Sequence, residues 1–347
     1  MAYSTISKPS LHFNTKLYTG NGGTQSITGV GFQPDWTWIK ERNTAVSHQV
    51  FDVIRGATKR LYPDDNANET TNADSLTAFD SDGFSLGSAG STNGNSDTYV
   101  SWNWKAGGAG SANTDGDINS TVSVNQTAGF SIVKYTGSGS AQTVGHGLNA
   151  VPKWIIVKRI PDNGYDWVVY HTEDSAGLYL NSNGYNADSS SNNIWFNGAA
   201  PTSSVFTTGT DGRIGNAVDY IAYCFAEKKG YSKFGSYIGN GNADGTFVYT
   251  GFKPAWVMVK RSNGTDHWFI IDNKRIGFNE KNYGLYANLT NVEYTGSVYD
   301  LDILSNGFKA RDTDAMFNDA GSSYIYMAFA AEPLVANVGG GVPATAV

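Results

Sequence analysis

The residue types able to do chemistry are few, and their spacing is poor for it. Five histidines occur, His12, His48, His146, His171 and His267. No two stand at a metal-ligand spacing, so a histidine-based zinc centre is not expected. Gly145-His146-Gly147-Leu148-Asn149-Ala150 has the letters of a dinucleotide fingerprint, but Pro152 follows at once and no helix opens there, which makes it a turn. No phosphate-loop G-K-S/T and no G-x-S-x-G elbow is present. Two acid pairs, Asp80 with Asp82 and Asp312 with Asp314, fall on predicted turns and are weak Ca2+ candidates. Asn240 to Gly245 resembles the first half of a calcium loop, yet Gly251 stands where the bidentate Glu should be. Paired acids about 5–9.5 Å apart could also hydrolyse a glycoside. Turn-building is the simpler role for Asp, Asn and Gly at such places, so no catalytic residue, no metal and no cofactor is expected.

A binding surface is the better candidate. Residues 181–196 are long, polar and aromatic-tipped. Tyr, Ser, Gly and Asn make adaptable recognition surfaces. Tyr185, Asn192, Asn193 and Trp195 are therefore the candidate glycan contacts, the rings stacking on a sugar face and the amides bonding its hydroxyls.

The elements that would position these residues are strands. Of 347 residues, 16% are charged and 13% aromatic, with 41 Gly. Aromatic and β-branched residues punctuated by Gly, Asn, Asp and Ser suit strands and tight turns. A net charge of −7 without basic clusters speaks against nucleic-acid binding. The lone Cys224 allows no internal disulfide. No apolar run reaches the roughly 20 residues of a membrane helix. The N-terminus lacks the pattern of a signal peptide. The expectation is a soluble protein made in a cytoplasm, with no membrane insertion.

Three landmarks recur in order. An aromatic-Gly opening appears at Tyr18-Thr19-Gly20, Tyr135-Thr136-Gly137 and Tyr237-Ile238-Gly239. A Gly/Pro/Trp strand start leads to Trp36, Trp154 and Trp256. An apolar closing strand begins at Tyr99, Tyr220 and Tyr324. The Trp-to-Tyr interval is nearly constant (36 to 99, 154 to 220, 256 to 324). Such a repeat implies an all-β chain of three tandem β-sandwich or jelly-roll units. The expected organisation is 1–107 as the first unit with an N-terminal arm, 108–127 as a Gly/Ser-rich flexible linker, 128–230 as the second unit, 231–334 as the third, and 335–347 as a flexible tail. The near absence of a second linker predicts a rigid pair of later units, with the first free to move. Only Asp52 to Leu61 hints at a helical turn or two. Trp102, Trp104, Tyr223, Phe225, Met327 and Phe329 recur in equivalent places, which favours core packing over a ligand platform.

The stretches Gly31 to Lys40, Phe79 to Gly87, Ser101 to Gly107, Gly230 to Gly241 and Ser305 to Lys309 resemble a family of marine bacteriophage structural and tail-fibre proteins. That resemblance implies concanavalin- or laminin-G-like sandwich domains and a place on the virion surface. It supplies no catalytic residue. The implied function is a non-enzymatic tail fibre or adhesin that helps attach the particle to host-surface glycan. The alternatives are a purely structural capsid decoration or fibre-shaft protein that binds only other virion proteins, and a polysaccharide depolymerase. A homo-oligomer, with a trimer suiting a fibre, is the expected assembly.

Overall fold

The computed structural model describes residues 4–184, 196–275, 279, 283–296 and 298–334. The protein is nearly all β. Three large antiparallel sheets form its walls. The first wall orders its strands as Phe13–Thr19, Thr98–Trp104, Trp36–Glu41 and Gln49–Asp52. The third runs Ser232–Ile238, Ser323–Pro333, Phe252–Arg261, Phe269–Asp272 and Gly284–Tyr286. The second has the same centre, with Phe130–Thr136, Asp219–Phe225, Trp154–Arg159 and Val168–His171. It adds Asp174–Tyr179 at one edge and Ser120–Asn125 and Ser111–Asn113 at the other. In each wall the closing strand sits between the opening strand and the Trp strand. Trp36, Trp154 and Trp256 face Trp104, Phe225 and Phe329 at one register place.

A smaller sheet covers the outside of each wall. Gln25–Thr28, Gly83–Leu86 and Leu76–Asp80 cover the first; Thr143–Gly145 and Val205–Thr207 the second; Phe247–Tyr249, Gly307–Ala310 and Leu301–Leu304 the third. Each pair of layers encloses its own apolar core, as where Ile39 and Tyr99 meet Ile27, Leu76 and Phe84.

The inner faces of the walls are buried too, against one another. Trp36, Trp38, Trp102 and Trp104 join Trp154, Ile156, Tyr223, Phe225, Trp256, Met258, Met327 and Phe329 in one core. Rings meet across every pair of walls: Trp36 stacks on Tyr223 at 4.5 Å, Trp104 meets Trp256 at 5.7 Å, and Phe225 meets Phe329 at 5.9 Å. Strands buried on both faces read as unbroken apolar runs, and this arrangement accounts for theirs. A buried aromatic removes about 150–250 Å² from water. At about 25 cal/mol/Å² one inner Trp supplies on the order of 4–6 kcal/mol before entropy is charged. The indole N–H groups of Trp36, Trp104, Trp154 and Trp256 find no hydrogen-bond partner, a cost of about 1–3 kcal/mol each that the ring packing outweighs.

Three equivalent hydrogen bonds close the walls into a ring. The residue just before the strand that follows each Trp strand reaches a carbonyl on the next wall. Trp167 Nε1 donates to Tyr62 O at 2.8 Å, Trp268 Nε1 donates to Tyr179 O at 3.0 Å, and His48 Nε2 lies 2.9 Å from Tyr286 O. Trp38 Nε1 donates to His48 Nδ1 at 2.8 Å, so the proton sits on Nε2 and points at Tyr286.

Three expectations need correction. The first wall is not free to move, because its four tryptophans lie in the shared core. Residues 108–127 are not a flexible linker, since Ser111–Asn113 and Ser120–Asn125 are strands of the second wall. The segment that leads into them is tied as well: Asp35 Oδ2 accepts the Ala106 and Gly108 amides, and Gly107 N donates to Ser123 Oγ. Asp52 to Leu61 holds a single turn, its amides at Ile54 and Arg55 capped by Asp52 Oδ1, before the short strand Lys59–Arg60. The tail 335–347 lies outside the described residues.

The repeated glycine of the opening has a physical cause. A Cβ on Gly20, Gly137 or Gly239 would stand 2.1, 2.3 or 2.3 Å from a carbonyl oxygen of the loop ahead of the closing strand. That loop is stitched down by Asn93 and Asn318, whose buried side-chain amides donate to Gly23 O and Asn242 O at 2.7 Å.

Candidate functional site

The proposed glycan contacts Tyr185, Asn192, Asn193 and Trp195 lie outside the described residues. The acids are all placed, and three of the four bond backbone amides. Asp82 accepts the Gly29 and Gly31 amides at 3.0 and 2.6 Å, and these bonds hold its carboxyl below the usual range. Asp80 accepts from Ser85 Oγ at 2.7 Å. Asp312 takes the amides of Asp300 and Asp314, at 2.6 and 3.0 Å, while burial raises its pKa. Asp314 takes the Met316 amide at 2.9 Å. Asn240 Oδ1 likewise accepts the Asn242 amide at 3.0 Å. Among the described residues no group of three His, Cys, Asp or Glu side chains is arranged to hold a metal ion.

The histidines are dispersed. His146 and His171 accept from the Leu148 and Glu173 amides two residues on. His12 and His267 meet Asn125 and Asn288 side chains. Burial lowers the pKa of all five, furthest at His48 and at His171, which falls to about 3.

Sequence reasoning missed the charged clusters between the walls. Arg55 pairs with Asp52 at 2.5 Å and reaches Glu69, while Tyr223 of the second wall donates to Asp52 Oδ2 at 2.8 Å. Arg275 pairs with Asp272 at 2.7 Å and with Glu293, which also takes Arg42; Trp102 of the first wall donates to Asp272 Oδ2 at 3.0 Å. Burial works against the Arg55 cation, but Asp52, Tyr223 and Glu69 keep it charged above the usual arginine range. The signal was present as Asp-x-x-Arg at 52–55 and 272–275, both at the end of the strand after the Trp strand. In the second wall that position is His171.

Three lysines occupy another repeated place. Lys40, Lys158 and Lys260 are fully buried, and their Nζ atoms donate to carbonyls: Glu41 and Thr44, Tyr165 and Asn66, Arg261 and Gly264. Desolvation pulls each down to about 8. They clamp the loop after the Trp strand.

One cleft lies on the third wall. It encloses about 390 Å³ between the edge strands Ser232–Ile238 and Phe247–Tyr249. Phe247 and Tyr249 in its lining are 44 and 51% exposed, Ile238 at the end of the neighbouring strand is 55% exposed, and Lys153 and Glu227 of the second wall also line it.

The fold and these clusters define an all-β protein whose buried ionisable groups act as fasteners. The chain belongs to the family described as a domain of unknown function, DUF7483, whose model matches residues 8–333 and so runs through all three walls. No curated protein and no solved structure matches it.

Proposed function

We propose that this chain is a non-enzymatic surface component of a virus particle, whose work is to hold a fixed shape and bind other particle proteins. The observation that carries the reading is the division between inside and outside. Both faces of the central strands of each large sheet are buried and the interior charges are consumed as clamps, while Ile238, Phe247 and Tyr249 stand exposed on adjoining sheet edges. Such a block suits a part that bears load and docks, and the resemblance to phage structural proteins points the same way. Mass spectrometry and cryo-electron microscopy of purified particles test it. Stoichiometric copies at a defined surface position are expected, and particles that lack the chain would overturn the proposal.

A second reading, attachment to host glycan, draws on the exposed rings of Phe247 and Tyr249, which offer a stacking surface beside polar groups. Binding of the purified chain to a glycan array, weakened by Phe247→Ser, would favour it over the assembly role.

A further inference from the structure

The three walls treat one edge in three ways. In the second wall the opening strand Phe130–Thr136 is covered by Ser120–Asn125, paired along its whole length. The same segment also closes the small sheet, where Ile118 bridges Val144. Val122 enters the outer core and Val124 packs against it. In the first wall no strand among the described residues covers Phe13–Thr19. Side chains span the gap to the small sheet instead: Asn14 Nδ2 donates to Val30 O at 2.9 Å and Gln25 Nε2 to Thr19 O at 3.2 Å. Lys16 lies beside Gly29, and an edge lysine also discourages foreign pairing.

Among the described residues no strand covers the opening strand of the third wall, and one side-chain bond spans its gap, Thr246 Oγ1 donating to Ile238 O at 2.7 Å at the end of the strand. Register places Gly235 where the first wall has Lys16 and the second has Val133. The closing strand of the second wall runs almost directly into Ser232–Ile238, so no intervening segment remains to cover that edge. Gly239 N donates to Ser322 O, so odd-numbered amides of this strand face the closing strand and those of Phe234, Ser236 and Ile238 face outward. The adjoining edge carries Phe247 and Tyr249, largely exposed, with the cleft between. A long exposed edge without a charge, proline or bulge at its centre is a ready template for another strand.

We propose that the Ser232–Ile238 edge is a docking site for one extended strand of a partner polypeptide, which pairs with it antiparallel and places two small β-branched side chains, spaced i and i+2, in the cleft over Gly235. The chemistry of the occupant is that of Ser120–Asn125, which fills this place in the second wall. The inference names a partner class for the assembly reading above and rests on that reading only for where the partner is found.

The test uses the intact chain and a fluorescent synthetic peptide of residues 118–126, read by anisotropy. Saturable binding is expected. Ser236→Pro removes an outward donor that the closing strand does not use, and edge strands tolerate proline; it should weaken binding by about ten-fold or more. Phe247→Ser, on an exposed ring, should also weaken it. Absence of peptide binding, or equal binding to both variants, would overturn the proposal. So would glycan binding at this cleft that survives Ser236→Pro while the peptide fails to compete. Particle mass spectrometry fails or succeeds independently of all these outcomes, so loss of the particle reading and loss of the edge site can be told apart.

Discussion

Two of the junctions between walls hold a fully buried ion pair, and at the equivalent place in the third the buried groups are neutral. Where the first wall meets the third, Trp102 donates into the Asp272–Arg275 pair; where the second meets the first, Tyr223 donates into Asp52–Arg55. At the remaining junction the donor's place holds Met327 and the acid's place holds His171. The acid and its donor are absent together. A buried carboxylate is tolerable only with a cation and a full set of donors. Once the neighbouring wall offers a thioether, a neutral imidazole packed edge-on to Trp154 at 5.0 Å is the stable choice. Burial, with Lys153 adding to it, keeps that ring uncharged.

Breaking an ionic junction should cost most. Asp272→Ala leaves Arg275 buried against Trp102 and should lower stability by about 3–5 kcal/mol. Urea unfolding checks this, and adding Arg275→Met should recover part of the loss. His171→Ala at the third junction should cost less, about 1–2 kcal/mol, because packing and the bond from the Glu173 amide are lost but no buried charge is left alone. Equal costs at the two places would remove the contrast.

Acid sharpens the comparison further. The folded pKa of His171 is about 3, below its ordinary value of 6.5. The unfolded chain therefore binds more protons between those values, and stability falls as pH drops from 6.5 toward about 3. His48 and His146 act in the same direction. Denaturation midpoints measured from pH 7 to 4 should fall, and less steeply in His171→Phe.

The alkaline limb should show the smallest effect. Lys40, Lys158 and Lys260 drop from 10.5 to about 8 in the fold, so the unfolded chain holds more protons in that window and stability rises with pH through it. Buried tyrosines such as Tyr135 and Tyr237, raised by burial, reverse the trend above about pH 10 as the unfolded chain ionises first. Lys260→Met should flatten the rise without abolishing it.

The strand content and the landmarks were legible because burial on both faces writes itself as an unbroken apolar run, as at Trp154 to Val157. The same run does not say which core each face enters. Trp154 and Ile156 go to the shared interior, and Ile155 and Val157 to the outer core, a division only tertiary structure makes. Residues 108–127 read as a linker because their first strand, Ser111–Asn113, is exposed and held by backbone bonds. The alternation of Val122 and Val124 was the available clue. The acids at 82, 312 and 314 accept backbone amides, as turn residues do, and Asp80 accepts from the Ser85 hydroxyl. The wider clusters escaped notice because Arg55 and Glu69, or Arg42 and Glu293, meet across sequence distances that no spacing rule covers.

The central claim is that the three walls share one core and stand or fall together. Differential scanning calorimetry of the intact chain tests it most directly. One transition, with calorimetric and van't Hoff enthalpies equal, is expected; Trp104→Ala should move that whole transition down, by about 3–5 kcal/mol in stability, without splitting it. Two or three resolved transitions, with Trp104→Ala shifting only one, would contradict the account.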